Sequence, residues 1–170
     1  MGAIILNECR IAGKPFQWSL VSRRSRHRVG TRFNCRGVDD QGNVANYVVT
    51  EQIVEFNNAT CSFVQTRGSM PFYWEQVVNV KYRPPVNLIE GRDQAEGFKT
   101  HFDRQIEFYG DQVIVNLINW HKDEGTLERV FRRLSKEYGG QRLTYEAFDF
   151  HAECSKMRWD RLNILIQRLR

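Results

Sequence analysis

At 170 residues, 41% hydrophobic and 12% aromatic, the chain can bury one real core, which excludes an intrinsically disordered tail. Its 25 Lys and Arg against 20 Asp and Glu give a net charge of +5, which favours polyanionic partners: nucleic acid, an anionic membrane or a phosphorylated substrate. Four scattered cysteines (Cys9, Cys35, Cys61, Cys154) without a Cys-x-x-Cys pair argue against a disulfide framework, and no apolar run nears the length of a membrane span. The apolar residues 3–6 are too few for a signal sequence, and Leu6 stands where a myristoylation signal needs Ser or Thr. A soluble, cytosolic polypeptide is expected.

The first 15 residues say little beyond a turn at Gly13-Lys14-Pro15. Gln17 to Arg23 reads as a strand with Trp18 and Leu20 on one face. Then comes the densest feature of the chain: Arg23, Arg24, Arg26, Arg28, Arg32 and Arg36 fall within 14 residues, with no acid until Asp39. Such a run repels itself unless it is solvated or meets an anion. Two readings stand: an anion-facing surface on a β scaffold, or a solvated segment whose arginines pair with acids elsewhere. After the turn cluster Asp39-Asp40-Gln41-Gly42-Asn43, Val44 to Phe56 and Thr60 to Thr66 read as two strands joined at Asn57-Asn58, residues that tolerate the positive φ of a tight hairpin. Pro71 ends this region and Pro84-Pro85 makes a stiff extended link.

From there helix and strand alternate. Phe98, Phe102, Ile106 and Tyr109 fall on one helical stripe, with Gly110 placed to stop it. Val113 to Ile118 is nearly continuously apolar, the mark of a strand covered on both faces. Thr126 is placed to cap a helix whose Leu127, Val130, Phe131, Leu134 and Tyr138 share a face, closed by Gly139-Gly140. Leu143 to Phe150 returns as a strand, and a right-handed crossover makes the two strands parallel. A last helix over residues 154–169 is expected to bury Leu162, Leu165, Ile166 and Leu169. The fold class is α/β: one mixed β-sheet flanked by helices, with a β-rich N-terminal half followed by a βαβα half.

In parallel α/β sheets ligands gather at the carboxyl ends of strands, here Asn119-Trp120-His121 and Asp149-Phe150-His151. Asp149 and His151 side by side are a candidate acid and base; equally, Asp149 can cap the last helix and His151 can pack at its start. His151 and Cys154 have a ligand-like spacing but lack two further ligands, so no metal site is expected. Arg67-Gly68-Ser69 after the second hairpin strand is a candidate phosphate contact, since glycine lets backbone approach a ligand and arginine pairs with phosphate. Its alternative is a strand-end turn whose Arg67 binds a carboxylate of the fold such as Glu51.

The series Arg28 to Val54, then Ser62 to Trp74, then Phe148 to Leu162 (FDFHAECSKMRWDRL) resembles the Sac-domain phosphoinositide phosphatases, over nearly the whole chain from Phe16 onward. Where the family usually has Glu-Thr-Glu-Gln, this chain has Val49-Thr50-Glu51-Gln52, which removes the first acid. The resemblance implies hydrolysis of a phosphate monoester on a phosphatidylinositol headgroup, the 4-phosphate, through a cysteinyl-phosphate and without cofactor or metal. It implies a partial Sac domain over residues 1–170 and a setting on the cytosolic face of endoplasmic reticulum and Golgi membranes. The family's nucleophile sits in a Cys-x5-Arg-Thr loop. The one literal match, Cys61 to Arg67, lies in an expected strand, lacks glycine and includes Phe63, so it cannot turn its amides toward one phosphate. In the family the nucleophile lies beyond the position of Arg170, so no catalytic residue beyond the supporting Asp149 and His151 is assigned, and this chain alone is expected to be inactive. Arg24, Arg26, Arg28 and Arg67 are the candidate contacts to phosphoinositide and to an anionic membrane surface. The rival is a non-catalytic module that binds anionic phospholipid. A nucleic-acid partner is not expected, because the cluster has neither a recognition-helix pattern nor an aromatic platform.

Overall fold

The three strands expected before residue 70 are joined by one at the N-terminus that the sequence did not announce, in a single antiparallel sheet: β1 (Gly2–Ile11), β2 (Lys14–Arg24), β3 (Val48–Phe56) and β4 (Ala59–Arg67), paired in that order. These come from a computed structural model that describes residues 2–31, 33–78 and 84–170. Ala12 and Gly13 turn the first hairpin with φ of 49° and 77°, and Asn57 and Asn58 turn the other with φ of 48° and 62°, the left-handed pair that a tight hairpin requires. β3 starts at Val48 and not at Val44, because Val44 is taken by an isolated bridge to Val38.

β5 (Trp74–Gln76) and β6 (Val86–Leu88) form a small antiparallel pair. α1 (Gln94–Tyr109) follows, capped by the Asp93 carboxylate and stopped at Gly110 with φ 78°. β7 (Gln112–Asn116), α2 (Lys122–Tyr138) and β8 (Leu143–Ala147) make the strand–helix–strand unit, and β7 and β8 pair in parallel from Gln112 opposite Leu143 to Asn116 opposite Ala147. The α/β class and the order of strands first, helices later are as the sequence implies. The hydrogen-bonded strands described are divided among three sheets rather than joined in one.

The core lies where α1 and α2 meet the segment after β4. Phe72, Trp74, Phe98, Phe102, Leu127, Phe131, Leu134 and Leu143 are buried together, and Phe98 meets Phe131 edge-on with centroids 6.0 Å apart. Burying such aromatic side chains stabilises the fold by about 1.5–3 kcal/mol each. A second cluster of Val38, Val44 and Tyr73 seats the 37–45 loop. There Gly37 has φ 65°, and a Cβ on it would lie 2.6 Å from the Phe72 carbonyl oxygen.

Four expectations are corrected. Tyr109 is exposed, since the α1 stripe ends at Ile106. β7 is covered on one face only: Ile114 and Ile118 pack on the core, whereas Val113 is 59% exposed and Leu117 45%. α2 begins a turn before Thr126, with His121 at the N-cap. The last helix is broken into α3 (Phe150–Glu153), two short 3-10 turns and α4 (Leu162–Arg168), and none of Leu162, Leu165, Ile166 and Leu169 is buried. Among the described residues no helix is long and apolar enough to cross a membrane.

Candidate functional site

Strand register brings two of the candidate arginines together. Arg24 lies opposite Val48 on β3, and Val48 lies opposite Arg67 on β4. Opposed residues of an antiparallel pair share a face, so Arg24 and Arg67 flank the buried Val48, about 10 Å apart across two strand spacings. The Arg24 guanidinium donates to the Asn46 side chain and, at 3.0 Å, to the Gly30 carbonyl. Both acceptors are neutral, so its charge is not cancelled. Among the described residues no carboxylate pairs with Arg23, Arg24, Arg26, Arg28 or Arg67. Glu51 in particular accepts from the Ser62 hydroxyl at 2.7 Å and stands opposite Val64, away from Arg67.

The other arginines diverge. Arg28 is half-buried with φ 48°, and its guanidinium donates to the Arg36 carbonyl at 2.7 Å and the Gly37 carbonyl at 3.3 Å. It ties the loop together from inside. Asp39 shows its reach: burial raises that carboxyl, but donors from Asn43 and Gln41 and the Arg28 charge outweigh it and hold the acid below its ordinary range. Arg26 is exposed beside His27. Arg36 donates to the Gln76 side chain at 2.9 Å and lies over the Trp74 ring. Arg32 lies outside the described residues.

The Arg67-Gly68-Ser69 turn is built tightly into the fold. A Cβ on Gly68 would come 2.6 Å from Val44 Cγ2. Ser69 Oγ accepts from the Gly37 amide at 2.9 Å and Ser69 N donates to the Ala45 carbonyl at 3.0 Å. All three residues line a groove, and Arg67 brings the charged side chain to it. That groove, about 320 Å³, runs between the 66–71 segment, α1 and β7, and Gln105 and Asn116 also line it. As the lone amide in an otherwise apolar run, Asn116 carried a signal in the sequence; the structure places it inward, where it donates to the Tyr145 hydroxyl at 2.8 Å. Burial pushes the Tyr145 phenol up to about 12.

The two polar strand ends meet through Asp149. Its carboxylate is buried, accepting from the Ala152 amide at 3.0 Å and, with the other oxygen, from the Trp120 amide at 3.1 Å. It thus caps α3 and clamps that corner to the loop leading into α2. His151 is exposed one step further on, with its ring edge-on to Phe150. No hydrogen bond joins Asp149 to His151 among the described residues. Cys61 is exposed in the middle of β4, opposite Val54. Six extended residue steps separate Cys61 from Arg67 by about 20 Å, so those two cannot grip one phosphate.

Compared with known families, residues 3–155 match the SacI homology domain. The chain belongs to this family. It is 53% identical over 169 residues to the Drosophila melanogaster "Phosphatidylinositol-3-phosphatase SAC1", covering 99% of this chain and 28% of that protein. It is 42% identical over 161 residues to the Saccharomyces cerevisiae protein of the same name, covering 91% and 26%. With the human "Phosphatidylinositide phosphatase SAC2" the identity is 42% over 151 residues, covering 88% and 13%. This SacI homology chain therefore spans 28% or less of the length of these three relatives.

Proposed function

We propose that this chain serves as part of a phosphoinositide phosphatase domain, one that removes a phosphate monoester from a phosphatidylinositol headgroup at the cytosolic face of endoplasmic reticulum and Golgi membranes. The observation that carries the reading is the 53% identity that runs through 99% of the chain to a relative named as a phosphatidylinositol phosphatase. The favoured substrate is phosphatidylinositol 4-phosphate, although the names of the fly and yeast relatives specify the 3-phosphate.

Chemically, such a transfer through a cysteinyl-phosphate needs a thiolate inside a nest of amides, an arginine to grip phosphate oxygens and an acid for the leaving inositol oxygen. The described residues offer part of this set. Arg24 and Arg67 present uncancelled positive charge on one face of the sheet and would draw in an anionic headgroup. None of the four thiols supplies the loop: Cys61 is in a strand, Cys154 is buried, and neither Cys9 nor Cys35 has an arginine six positions on. On this reading, the chain by itself hydrolyses no phosphoinositide. Asp149 holds the corner beside the strand ends.

The test is phosphate release from short-chain phosphatidylinositol 3-, 4- and 5-phosphates, comparing this chain with a fusion that carries the remainder of the Drosophila relative. Turnover by the fusion alone, fastest with the 4-phosphate, is expected. Equal turnover by the short chain would overturn the assignment and send the search to His121 and His151. An inactive fusion that still binds phosphoinositide vesicles would favour the non-catalytic lipid-binding module.

A further inference from the structure

We propose that Met157 and Trp159 form a membrane-inserting tip that seats this chain on an anionic bilayer. The inference goes beyond the phosphatase reading, because it requires neither turnover nor a phosphoinositide.

The tip is built on the break in the C-terminal helix. After α3 the chain makes two 3-10 turns, Ser155–Met157 and Trp159–Arg161. Lys156 (φ 55°, ψ 36°) and Met157 (φ 60°) are both left-handed, a conformation that residues with a Cβ adopt only when neighbours impose it. The neighbours are identifiable. The Arg158 guanidinium donates to the Ser155 carbonyl at 3.1 Å, the Ser155 hydroxyl at 2.9 Å and the Ala152 carbonyl at 3.3 Å. Arg161 pairs with Glu153 at 2.7 Å. The Trp159 ring rests against Phe150 with centroids 5.9 Å apart. The segment is thus braced from below, and its apolar groups are turned outward: Met157 is 76% exposed and Trp159 53%.

The chemistry of the tip selects its partner. Met157, three-quarters exposed, stands clear of the surface around it. On either side of Met157 are cations, Lys156 and Arg158. The acceptors of Arg158 are two carbonyls and a hydroxyl, so its charge survives, and Lys156 is exposed with no ion pair among the described residues. The nearest opposing charge within the turns is Asp160. An apolar tip with cationic shoulders complements a bilayer that carries anionic headgroups over an apolar interior, and a tryptophan settles at that boundary because its ring is amphipathic. The exposed Arg24 and Arg26 add long-range attraction that salt screens, whereas insertion of the tip persists at high salt.

The experiment uses the 170-residue chain and vesicles of phosphatidylcholine with a minority of phosphatidylserine, containing no phosphoinositide. With acyl chains brominated near the headgroup, tryptophan fluorescence is expected to be quenched. Trp159→Phe, which keeps a ring against Phe150, should lose most of that quenching while still sedimenting with vesicles. Met157→Asp should weaken vesicle partitioning about tenfold or more, and Met157→Leu should restore it. Circular dichroism identical to that of the unaltered chain establishes that each variant is folded. Vesicle binding without quenching, or quenching undiminished in Trp159→Phe, would overturn the proposal. So would a Trp159 emission that shifts to the blue in the Drosophila fusion without vesicles, because protein would then cover the tip. A phosphatase-dead fusion whose Trp159 is still quenched would sink the phosphatase reading alone.

Discussion

Replacing Asp149 separates a clamp from a proton donor. In Asp149→Ala two backbone amides lose their acceptor at once, those of Ala152 and Trp120. Loss of an N-cap costs about 1 kcal/mol. Loss of a hydrogen bond to a charged acceptor costs about 1.5–3 kcal/mol, and the site is buried, so water restores little of it. The expected total is about 3 kcal/mol. With a urea slope of about 1–3 kcal/mol per molar, the unfolding midpoint should fall by about 1–3 M. Asp149→Asn keeps one carbonyl oxygen but turns an NH2 group toward the second amide, so it should lose about half as much. His151→Ala, at an exposed position, should stay within about 0.5 kcal/mol of the unaltered chain. The assay is urea unfolding followed by far-UV circular dichroism, paired with turnover of the Drosophila fusion carrying the same substitutions. An unchanged midpoint for Asp149→Ala would refute the clamp. Abolished turnover in Asp149→Asn at full stability would make the carboxyl a proton donor after all.

Three further outcomes follow from the geometry. Burial holds the His101 ring neutral and lowers its pKa from 6.5 to about 4, so the unfolded chain takes up a proton that the folded chain refuses. The stability from that neutral ring is complete above pH 6.5 and falls by about 3 kcal/mol as the pH drops toward 4; urea midpoints across that window should flatten in His101→Gln, and an unflattened profile would assign the loss to other groups. Arg28→Ala should lower stability by about 1–3 kcal/mol with little effect on vesicle binding beyond its charge, whereas Arg24→Ala with Arg26→Ala should weaken salt-sensitive vesicle co-sedimentation by at most about 1 kcal/mol per charge; the reverse pattern would show that Arg28 faces the ligand. Cys61→Ser in the Drosophila fusion should leave turnover nearly unchanged, and a hundredfold loss in a folded protein would restore Cys61 as the nucleophile.

Local chemistry made much of the fold legible in the sequence. Asn57-Asn58 and Gly110 announce their turns because the required backbone angles are open to few residues, and the β7–α2–β8 unit announces parallel pairing because its crossover has one hand. Periodicity misled where it had to stand for contact. The run from Val113 to Ile118 looks like a strand buried on both faces, yet Val113, Val115 and Leu117 face outward in this chain. Leu162, Leu165, Ile166 and Leu169 keep a helical spacing, but the helix they imply is interrupted upstream by Lys156 and Met157, whose left-handed backbone is imposed by Arg158 and its acceptors. A spacing rule carries no information about such a brace.

The arginine run shows the same limit at the candidate site. As a string, Arg24, Arg26 and Arg28 are equivalent charges at alternating positions, and two readings of them stood equal: an anion-facing surface or internal pairing. The fold divides them. Arg24 still belongs to β2, so register carries it into the row of Val48 and Arg67, residues remote in sequence. Four positions on, the chain has left the strand; Arg28 adopts φ 48° and its guanidinium turns back onto the carbonyls of Arg36 and Gly37. Arg24 and Arg28 do pair with internal groups, but with neutral ones, so both keep their positive charge even where their side chains are tied down. An anion near Arg24 and Arg67 would therefore meet the field of Arg28 as well, without touching it. For that reason single substitutions at Arg28 should be read first as changes in folding and only second as changes in binding.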